Sequence, residues 1–243
     1  MREAGLAPDP DAVRRLPRGR HALPPATVRE DQRRRLLAAI PGVAAERGYA
    51  AMSVADLVRA AAVSRNAFYA NFANKRECFA AAVEDGHERL FAVLAEPCDR
   101  RASLGERLEA RLGAALELLA KEPELARLLF VEAVAAGREE ALRQHEWLRR
   151  CAQLLRAAVP DGGIGGEAEL IAAGGLATRI ATELLGRSSP NLRLLTPGFV
   201  AFLLAIYAPA PGAFGPAEEG LEAASPATSE AVPSVAQPRR AAS

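Results

Sequence analysis

Apolar residues recur every three or four positions through most of the chain, the spacing that gathers them on one face of an α-helix. Alanine, leucine, arginine and glutamate are abundant and only 5% of the residues are aromatic, so helix is favoured and no segment has the pattern of a strand. The sequence therefore predicts an all-α fold. The predicted helices cover residues 28–47, 54–61, 65–72, 75–95, 103–121, 124–136, 138–158, 167–187 and 197–208.

Four of the predicted helix starts carry Ser, Thr or Asn three residues before an acidic residue, the pattern of a capping box. Within the first helix, Pro41 lacks the N–H that would bond to an earlier carbonyl, so we expect a kink or a split there. Gly48 is expected to end that helix in the left-handed conformation. The four capping pairs are Thr27/Glu30, Ser53/Asp56, Asn74/Glu77 and Ser103/Glu106.

Two of the predicted helices are short and lie close together in the chain. Residues 54–61 and 65–72 are separated only by Ala62, Val63 and Ser64. Ser64 can cap the second helix with its hydroxyl. Two short helices joined by a turn of this length predict a helix-turn-helix, the motif that places its second helix in the major groove of DNA.

The second short helix carries side chains suited to DNA. Its N-terminal end offers free N–H groups to phosphate, and Arg65 and Asn66 can pair bidentately with guanine and adenine edges. Asn71 is expected on the same exposed surface. Tyr69 and Lys75 are expected to hold phosphates on either side and so to fix the register of the helix. The alternative is a packing role for Tyr69 and a solvated charge at Lys75.

Three stretches around this motif resemble the DNA-binding domain of the tetracycline-repressor (TetR/AcrR) family of bacterial transcriptional regulators. They are Glu46–Val58, Val63–Tyr69 and Phe72–Glu77. The most specific part is the pattern Val-Ser-x-x-x-Phe-Tyr-x-x-Phe-x-x-Lys-x-Glu, which is more restrictive than a generic helix-turn-helix. The resemblance covers roughly residues 30–80. It puts Lys75 in the position of the family's phosphate-contacting lysine, and the residues that it places on the recognition helix are Arg65, Asn66, Ala67 and Tyr69.

The turn departs from the family's pattern at one position. Ala62 stands where the family usually has glycine before Val-Ser. Because a Cβ is disfavoured in the left-handed conformation, we expect Ala62 to strain the turn by roughly 1 kcal/mol.

The resemblance also implies a role for the rest of the chain. It would be the family's ligand-binding and dimerisation domain, with its last two long helices, here 167–187 and 197–208, paired across a two-fold axis. Small residues in the first of these helices permit close approach of a partner helix. The implied protein is a homodimeric repressor that binds a palindromic operator and is released by a small apolar molecule. Candidates to line an apolar cavity are Phe91, Phe130, His145 and Trp147, for which ordinary core positions are the alternative.

Charge divides the chain into two unequal parts. Residues 1–76 hold 14 basic and 7 acidic residues, whereas residues 77–243 hold 17 basic and 23 acidic residues. A basic segment joined to an acidic remainder is typical of a DNA-binding module attached to a module that does not bind DNA, although a basic surface that is merely solvated would show the same pattern.

The predicted organisation has four parts. Residues 1–26 are a disordered basic arm, 27–75 a three-helix DNA-binding domain, 76–208 a ligand-binding and dimerisation bundle, and 209–243 a disordered tail. In the arm, Arg18 and Arg20 flank a glycine after a proline and resemble the core of an AT-hook, which enters the minor groove. A solvated basic linker is an equal alternative.

Several other classes of function receive little support. The chain has no nucleophile motif, and its three cysteines, Cys78, Cys98 and Cys151, fit neither a disulfide framework nor a zinc site, so we expect no enzyme, no metal and no cofactor. Its apolar stretches are too short to cross a membrane, and no secretory signal is present, which predicts a cytoplasmic protein. Two rival functions remain open: a helical-bundle enzyme or carrier without DNA binding, and an architectural DNA-binding protein that needs no ligand.

Overall fold

The computed structural model describes residues 24–99, 101–159, 165–186 and 190–207, and these parts are helical without any strand. The predicted arm with Arg18 and Arg20 and the predicted tail lie outside the described residues, apart from the last residues of the arm. The predicted all-α class is confirmed. The helices are α1 (Pro25–Ala51), α2 (Val54–Ala60), α3 (Arg65–Asn71), α4 (Lys75–Leu94), α5 (Leu104–Lys121), α6 (Pro123–Arg127), α7 (Ala133–Ala135), α8 (Arg138–Ala158), α9 (Gly166–Gly186) and α10 (Thr196–Tyr207).

Helices α1 to α3 form the amino-terminal domain core, which α4 completes. Apolar residues spaced along α1 pack against α2, α3 and α4. The side chains at the centre of this core, Leu36, Ile40, Leu57 and Phe68, are completely buried. Truncating a buried phenylalanine of this kind typically costs about 3–5 kcal/mol, so the orientation of α3 is firmly tied to its sequence.

The remaining helices build a bundle around a second apolar centre. Helix α5 packs against α4 and α10, and α8 packs against α4 and α9. Helix α1 also contacts α6 and the segment that follows it, so the two parts share an extensive contact and belong to one compact unit. The division between residues 75 and 76 stays a prediction.

Two of the four predicted capping boxes are complete. Ser53 with Asp56 and Ser103 with Glu106 each bond reciprocally between side chain and backbone. Asn74 caps α4 by accepting from the Glu77 N–H, while the Glu77 carboxylate reaches back to Ala73 at 2.7 Å. The prediction of a helix start at Thr27/Glu30 was wrong: α1 begins at Pro25, where the fixed φ of proline suits the first helical position and needs no side-chain cap.

The first helix differs from its prediction at Pro41. Helix α1 continues through Pro41, and the one non-helical residue inside it is Gly48, with φ 72° and ψ 156°. Gly48 has the predicted positive φ, but α1 ends at Ala51 and not at Gly48 as predicted. Of the two outcomes predicted at Pro41, a kink or a split, the split was wrong. Packing of α1 on α6 and on the bundle keeps the helix continuous despite the missing hydrogen bond.

The segment predicted as a single helix over residues 124–136 is divided. A π-helical turn, Leu128–Glu132, separates α6 from α7. Such turns insert one extra residue into a helix and are often found at functional sites. A 3₁₀ turn, Leu192–Leu195, precedes α10. None of the described helices combines the length and the apolar character that crossing a bilayer requires.

Candidate nucleic-acid interface and ligand cavity

Helix α3 is fixed at its start by Ser64. The Ser64 hydroxyl accepts a hydrogen bond from the Ala67 N–H at 3.0 Å, as an N-cap does. Ala67 and Phe68 are buried, while Arg65 and Asn66 are exposed. The helix thus turns one apolar face to the domain core and one polar face to solvent.

The exposed face of α3 brings together the base-pairing and phosphate-binding candidates. Tyr69 is 49% exposed. The Arg65 guanidinium lies 5.8 Å from the centre of the Tyr69 ring, so the two side chains share one surface. Asn71 is half-buried, and its amide donates to the Ala67 carbonyl at 2.8 Å. Arg65, Asn66 and Tyr69 are therefore the side chains that α3 presents freely.

The turn before α3 is held by Arg35 of α1. The Arg35 guanidinium donates to the Ala61 carbonyl through two nitrogens, at 3.0 and 2.6 Å, and also to the Ala62 carbonyl. Ala62 has a φ of 50°, the left-handed conformation that the sequence predicts there. A single arginine thus fixes a turn whose backbone is strained.

Replacing Ala62 with glycine is expected to raise the free energy of unfolding by up to about 1 kcal/mol. Glycine adopts a positive φ without the Cβ clash, and this relief exceeds the added entropy of the unfolded chain. Denaturant unfolding measures the change. Ala114→Gly, at an exposed position inside α5, is the control and should lower the free energy of unfolding by about 1 kcal/mol. Equal losses in the two variants would contradict the assigned strain.

Two further arginines of α1 contact the end of α3. Arg29 donates to the Ala70 carbonyl. The Arg33 guanidinium lies 4.7 Å from the centre of the Phe72 ring, within cation–π range. Together with Arg35, which bonds to the turn before α3, these side chains connect α1 to both ends of α3. We call Arg29, Arg33 and Arg35 the α1 clamp.

Lys75 has an intramolecular role that the sequence does not reveal. Its Nζ donates to the carbonyls of Tyr49 at 2.9 Å, Met52 at 2.8 Å and Ala50 at 3.4 Å, and it lies 4.6 Å from the centre of the Tyr49 ring. The ammonium therefore satisfies carbonyls at the C-terminal end of α1, next to the break at Gly48. Its contact with phosphate stays a prediction.

We expect Lys75→Met to lower the free energy of unfolding by about 1–3 kcal/mol, because hydrogen bonds to charged groups contribute that much and the α1 carbonyls would lose their donor. Thermal and denaturant unfolding measure this loss. Arg76→Met, at the next position, is the control. The Arg76 side chain is 54% exposed and pairs with Glu139, so this variant should lose no more than about 1 kcal/mol of unfolding free energy. A Lys75 variant as stable as the Arg76 variant would show that the carbonyl contacts contribute nothing.

The bundle encloses an apolar cavity of about 100 Å³. Its walls come from α4, α5, the π-helical turn, α8, α9 and α10, and most of them are leucine and alanine side chains. Phe130 and Trp147 line it, and their rings meet edge to face with centres 6.0 Å apart. Arg111 is the one charged residue among the described residues of its lining.

A buried histidine supports the wall of the cavity. His87 stacks on Trp147 with ring centres 4.5 Å apart and planes 11° from parallel. Burial lowers the pKa of His87 to about 4, so the ring is neutral at neutral pH and stacks as an uncharged aromatic group. Sequence analysis did not single out His87, because its burial depends on α8 packing across α4.

The π-helical turn connects the cavity with the amino-terminal domain. Phe130 in this turn lines the cavity, and Glu132 at its end accepts a hydrogen bond from the Tyr49 N–H at 3.0 Å. Tyr49 follows Gly48, and its carbonyl accepts from Lys75. A short chain of contacts therefore leads from the cavity wall to the helix-turn-helix.

One surface of the bundle is unusually apolar. Of the nine large apolar side chains that are exposed among the described residues, five lie on α9, the 3₁₀ turn and α10. A groove lined by Gly175, Gly198 and Phe202 runs across the same region. Exposed apolar patches of this kind mark interaction surfaces. We call this region the α9/α10 face, and its exposed apolar residues are Ile171, Leu185, Leu194 and Phe202, whereas Leu204 lies on the side of α10 next to Gly105 of α5.

Residues 36–82 match the sequence profile described as bacterial regulatory proteins, tetR family. This match spans the helix-turn-helix and the start of α4. This stretch is similar to the DNA-binding domain of the tetR family. A search of curated proteins found no match.

Solved structures of regulators share the fold. The transcriptional regulator FadR from Bacillus subtilis, solved in complex with stearoyl-CoA, is 19% identical with a TM-score of 0.63, over 71% of this chain and 97% of that one. FadR from Bacillus halodurans is 20% identical with a TM-score of 0.63, over 71% and 94%. A transcriptional regulator from Rhodococcus sp. Rha1 is 26% identical with a TM-score of 0.58, over 71% and 96%. The fold of this chain is thus the one that these transcriptional regulators have.

The candidate effector residues of this chain do not all reach the cavity. Phe130 and Trp147 line it. Phe91 instead packs under the Arg150 guanidinium, 4.3 Å from its ring centre. His145 is exposed, and its Nε2 accepts from Arg149 at 3.0 Å. The inclusion of His145 was wrong because it lies two residues before Trp147, which puts it on the opposite face of α8.

Proposed function

We propose that this protein is a homodimeric repressor of the tetR family that binds a palindromic operator and leaves it when a small molecule enters the cavity. The observation that carries the proposal is the exposed polar face of α3, with Arg65, Asn66 and Tyr69 held on a helix that the α1 clamp fixes at both ends. A rigidly held helix with these side chains is what reading of the major groove requires.

The proposed division of labour follows from the chemistry of these side chains. Arg65 pairs with a guanine and Asn66 with an adenine, since their donors and acceptors match those base edges. Tyr69 and the N-terminal end of α3 contact phosphate, which positions the helix without reading sequence. The arm residues Arg18 and Arg20 extend the proposed interface into a neighbouring minor groove.

The proposed dimer pairs the α9/α10 face with the same face of a second copy. A two-fold symmetric contact buries identical patches against each other, which the exposed apolar residues of this face favour. Small residues along α9 support close approach, because no atoms lie within 4 Å of an added Cβ at Gly174 or Gly175. Two recognition helices related by a two-fold axis would read a palindrome.

The proposed release uses the connection through the π-helical turn. A ligand shifts DNA affinity only if it binds the DNA-incompetent state more tightly. A ligand that displaces Phe130 would move Glu132, which bonds to the Tyr49 N–H beside the break in α1. Movement at Tyr49 would reach Lys75 and the start of α4, and so alter the spacing of the two recognition helices.

Binding to sequences selected from a random DNA pool tests this function. We expect a palindromic site, and we expect Arg65→Ala to relax the preference at one or two base positions by about 1–3 kcal/mol. Tyr69→Phe should weaken all sites similarly. Arg149→Ala, which removes one positive charge elsewhere, is the control and should leave the preference unchanged. A failure to select any sequence would contradict the proposal.

A further inference from the structure

The apolar cavity contains two polar groups without partners. The Nε of Arg111 is buried and has no hydrogen-bond partner among the described residues. The same is true of the indole Nε1 of Trp147. Both residues line the cavity, and both atoms are donors. Among the described residues, Arg111 is the one charged residue that lines the cavity.

A buried hydrogen-bond donor without a partner is costly and is therefore rare in a stable core. Leaving such a donor unsatisfied destabilises the fold by about 1–3 kcal/mol. Arg111 is half-buried, and its Nε and the Nε1 of Trp147 are two such donors at one apolar cavity. Both donors gain a partner when an anion occupies the cavity.

We propose that the effector is an amphiphile with a single carboxylate and a hydrocarbon chain, and that Arg111 and Trp147 bind its carboxylate inside the cavity. The regulatory role of this ligand rests on the proposed function, whereas its binding in the cavity does not. One cation matches one negative charge, and a carboxylate accepts from a guanidinium and from an indole N–H together. The leucine walls then receive the chain.

The cavity is too small to hold a long hydrocarbon chain without expanding. An engineered cavity of about 150 Å³ holds one benzene molecule, so about 100 Å³ holds only part of a longer chain. Leu154, Leu155 and Leu176 line the cavity and are only half-buried, so they can yield. A chain that separates α8 from α9 would also shift the α9/α10 face.

The single tryptophan of the chain reports on the site directly, because Trp147 is the only residue of its type. Titration of the full-length protein with dodecanoate, below its micelle concentration, is expected to change the fluorescence of Trp147 with saturation. Methyl dodecanoate and dodecanol have the same chain without the charge and should bind at least about tenfold more weakly. Equal affinities for all three would overturn the inference.

Dodecanoyl-CoA separates two sources of the same acyl chain. Its thioester carries no carboxylate at the head of the chain, so it should bind like the methyl ester if Arg111 holds a free carboxylate. Binding of dodecanoyl-CoA at least as tight as that of dodecanoate would overturn the assignment of a buried carboxylate and place the charged group outside the cavity.

Substitution of Arg111 provides the decisive comparison. Arg111→Met should lower the affinity for dodecanoate at least about tenfold, leave that for methyl dodecanoate unchanged, and leave the melting temperature of the free protein unchanged or higher. Arg111→Lys keeps the charge and should keep most of the preference. The control Arg149→Met, on the outer face of α8, should change neither affinity. If Arg111→Met does not fold, Arg111→Lys and Arg111→Gln give the same comparison, with a preference retained only by lysine.

Binding of the carboxylate at Arg111 and release of DNA by the ligand can fail independently, and the experiments distinguish the two failures. Selective binding of dodecanoate without any effect on DNA would support the site and contradict release. Release of DNA by methyl dodecanoate that is insensitive to Arg111→Met would support release and overturn the carboxylate site.

Discussion

A single Gly175→Arg substitution is expected to convert the proposed dimer to a monomer and to weaken operator binding at least about a hundredfold. Gly175 lies in the groove of the α9/α10 face, where an arginine would meet its own counterpart and Arg179 across the two-fold axis. DNA binding suffers because a monomer loses the second recognition helix, whose effective concentration contributes about 10²–10⁴ in affinity. Sedimentation at micromolar concentration and operator titrations measure the two effects.

The substitution should leave the fold of each subunit intact. No atoms lie within 4 Å of a Cβ added at Gly175, and arginine is a better helix former than glycine by almost 1 kcal/mol. Ala141→Arg, at an exposed position of α8 outside the α9/α10 face, is the matched control and should remain dimeric. A dimeric Gly175→Arg protein would show that the subunits pair elsewhere.

The helices and the helix-turn-helix could be predicted because their signals are local. Apolar spacing, the caps at Ser53, Ser64 and Ser103, and the glycine at position 48 all act within a few residues of the backbone that they shape. The left-handed Ala62 could also be predicted, because the resemblance places it where the family usually has glycine. The tertiary contacts of the folded protein favour the same local structures, so these features are retained.

The errors arise where tertiary contacts override local rules. Pro41 breaks a hydrogen bond of α1, but contacts with the bundle hold the helix together. The π-helical turn at Leu128–Glu132 leaves no signature in the apolar spacing, because one extra residue only shifts that spacing. The orphaned Arg111 looks in sequence like any charged residue of a surface helix, and only the packing of α8 and α9 around it reveals the cavity.

The basic residues of α1 illustrate the same limit for function. From the sequence, all of them contribute to the basic charge of the DNA-binding segment, and charge alone does not distinguish their roles. Arg34 and Arg35 both pair with Asp31, but Arg35 also bonds to the turn before α3, whereas the Arg34 side chain is 63% exposed. Two adjacent arginines of equal charge therefore have different roles, which provides an experiment.

Arg35→Met is expected to lower the free energy of unfolding by about 2–3 kcal/mol and to weaken operator binding strongly. The Ala61 and Ala62 carbonyls would lose a charged donor, and hydrogen bonds to charged groups contribute about 1.5–3 kcal/mol. Because Ala62 is already strained, the turn should loosen and α3 should lose its fixed orientation. Hydrogen exchange of the α3 amides should rise with the loss of stability.

Arg34→Met removes the same charge from the neighbouring position and isolates the electrostatic part of the effect. Exposed ion pairs contribute about 0–1 kcal/mol, so the Arg34 variant should unfold almost as the unmodified protein does. Its operator affinity should fall only by the contribution of one positive charge, which higher salt would reduce further. If the two variants lost operator affinity equally and without any difference in α3 exchange, Arg35 would act on DNA through its charge rather than through the turn. A larger loss for Arg35→Met, accompanied by faster α3 exchange, would establish that the reading helix depends on a contact made inside the protein.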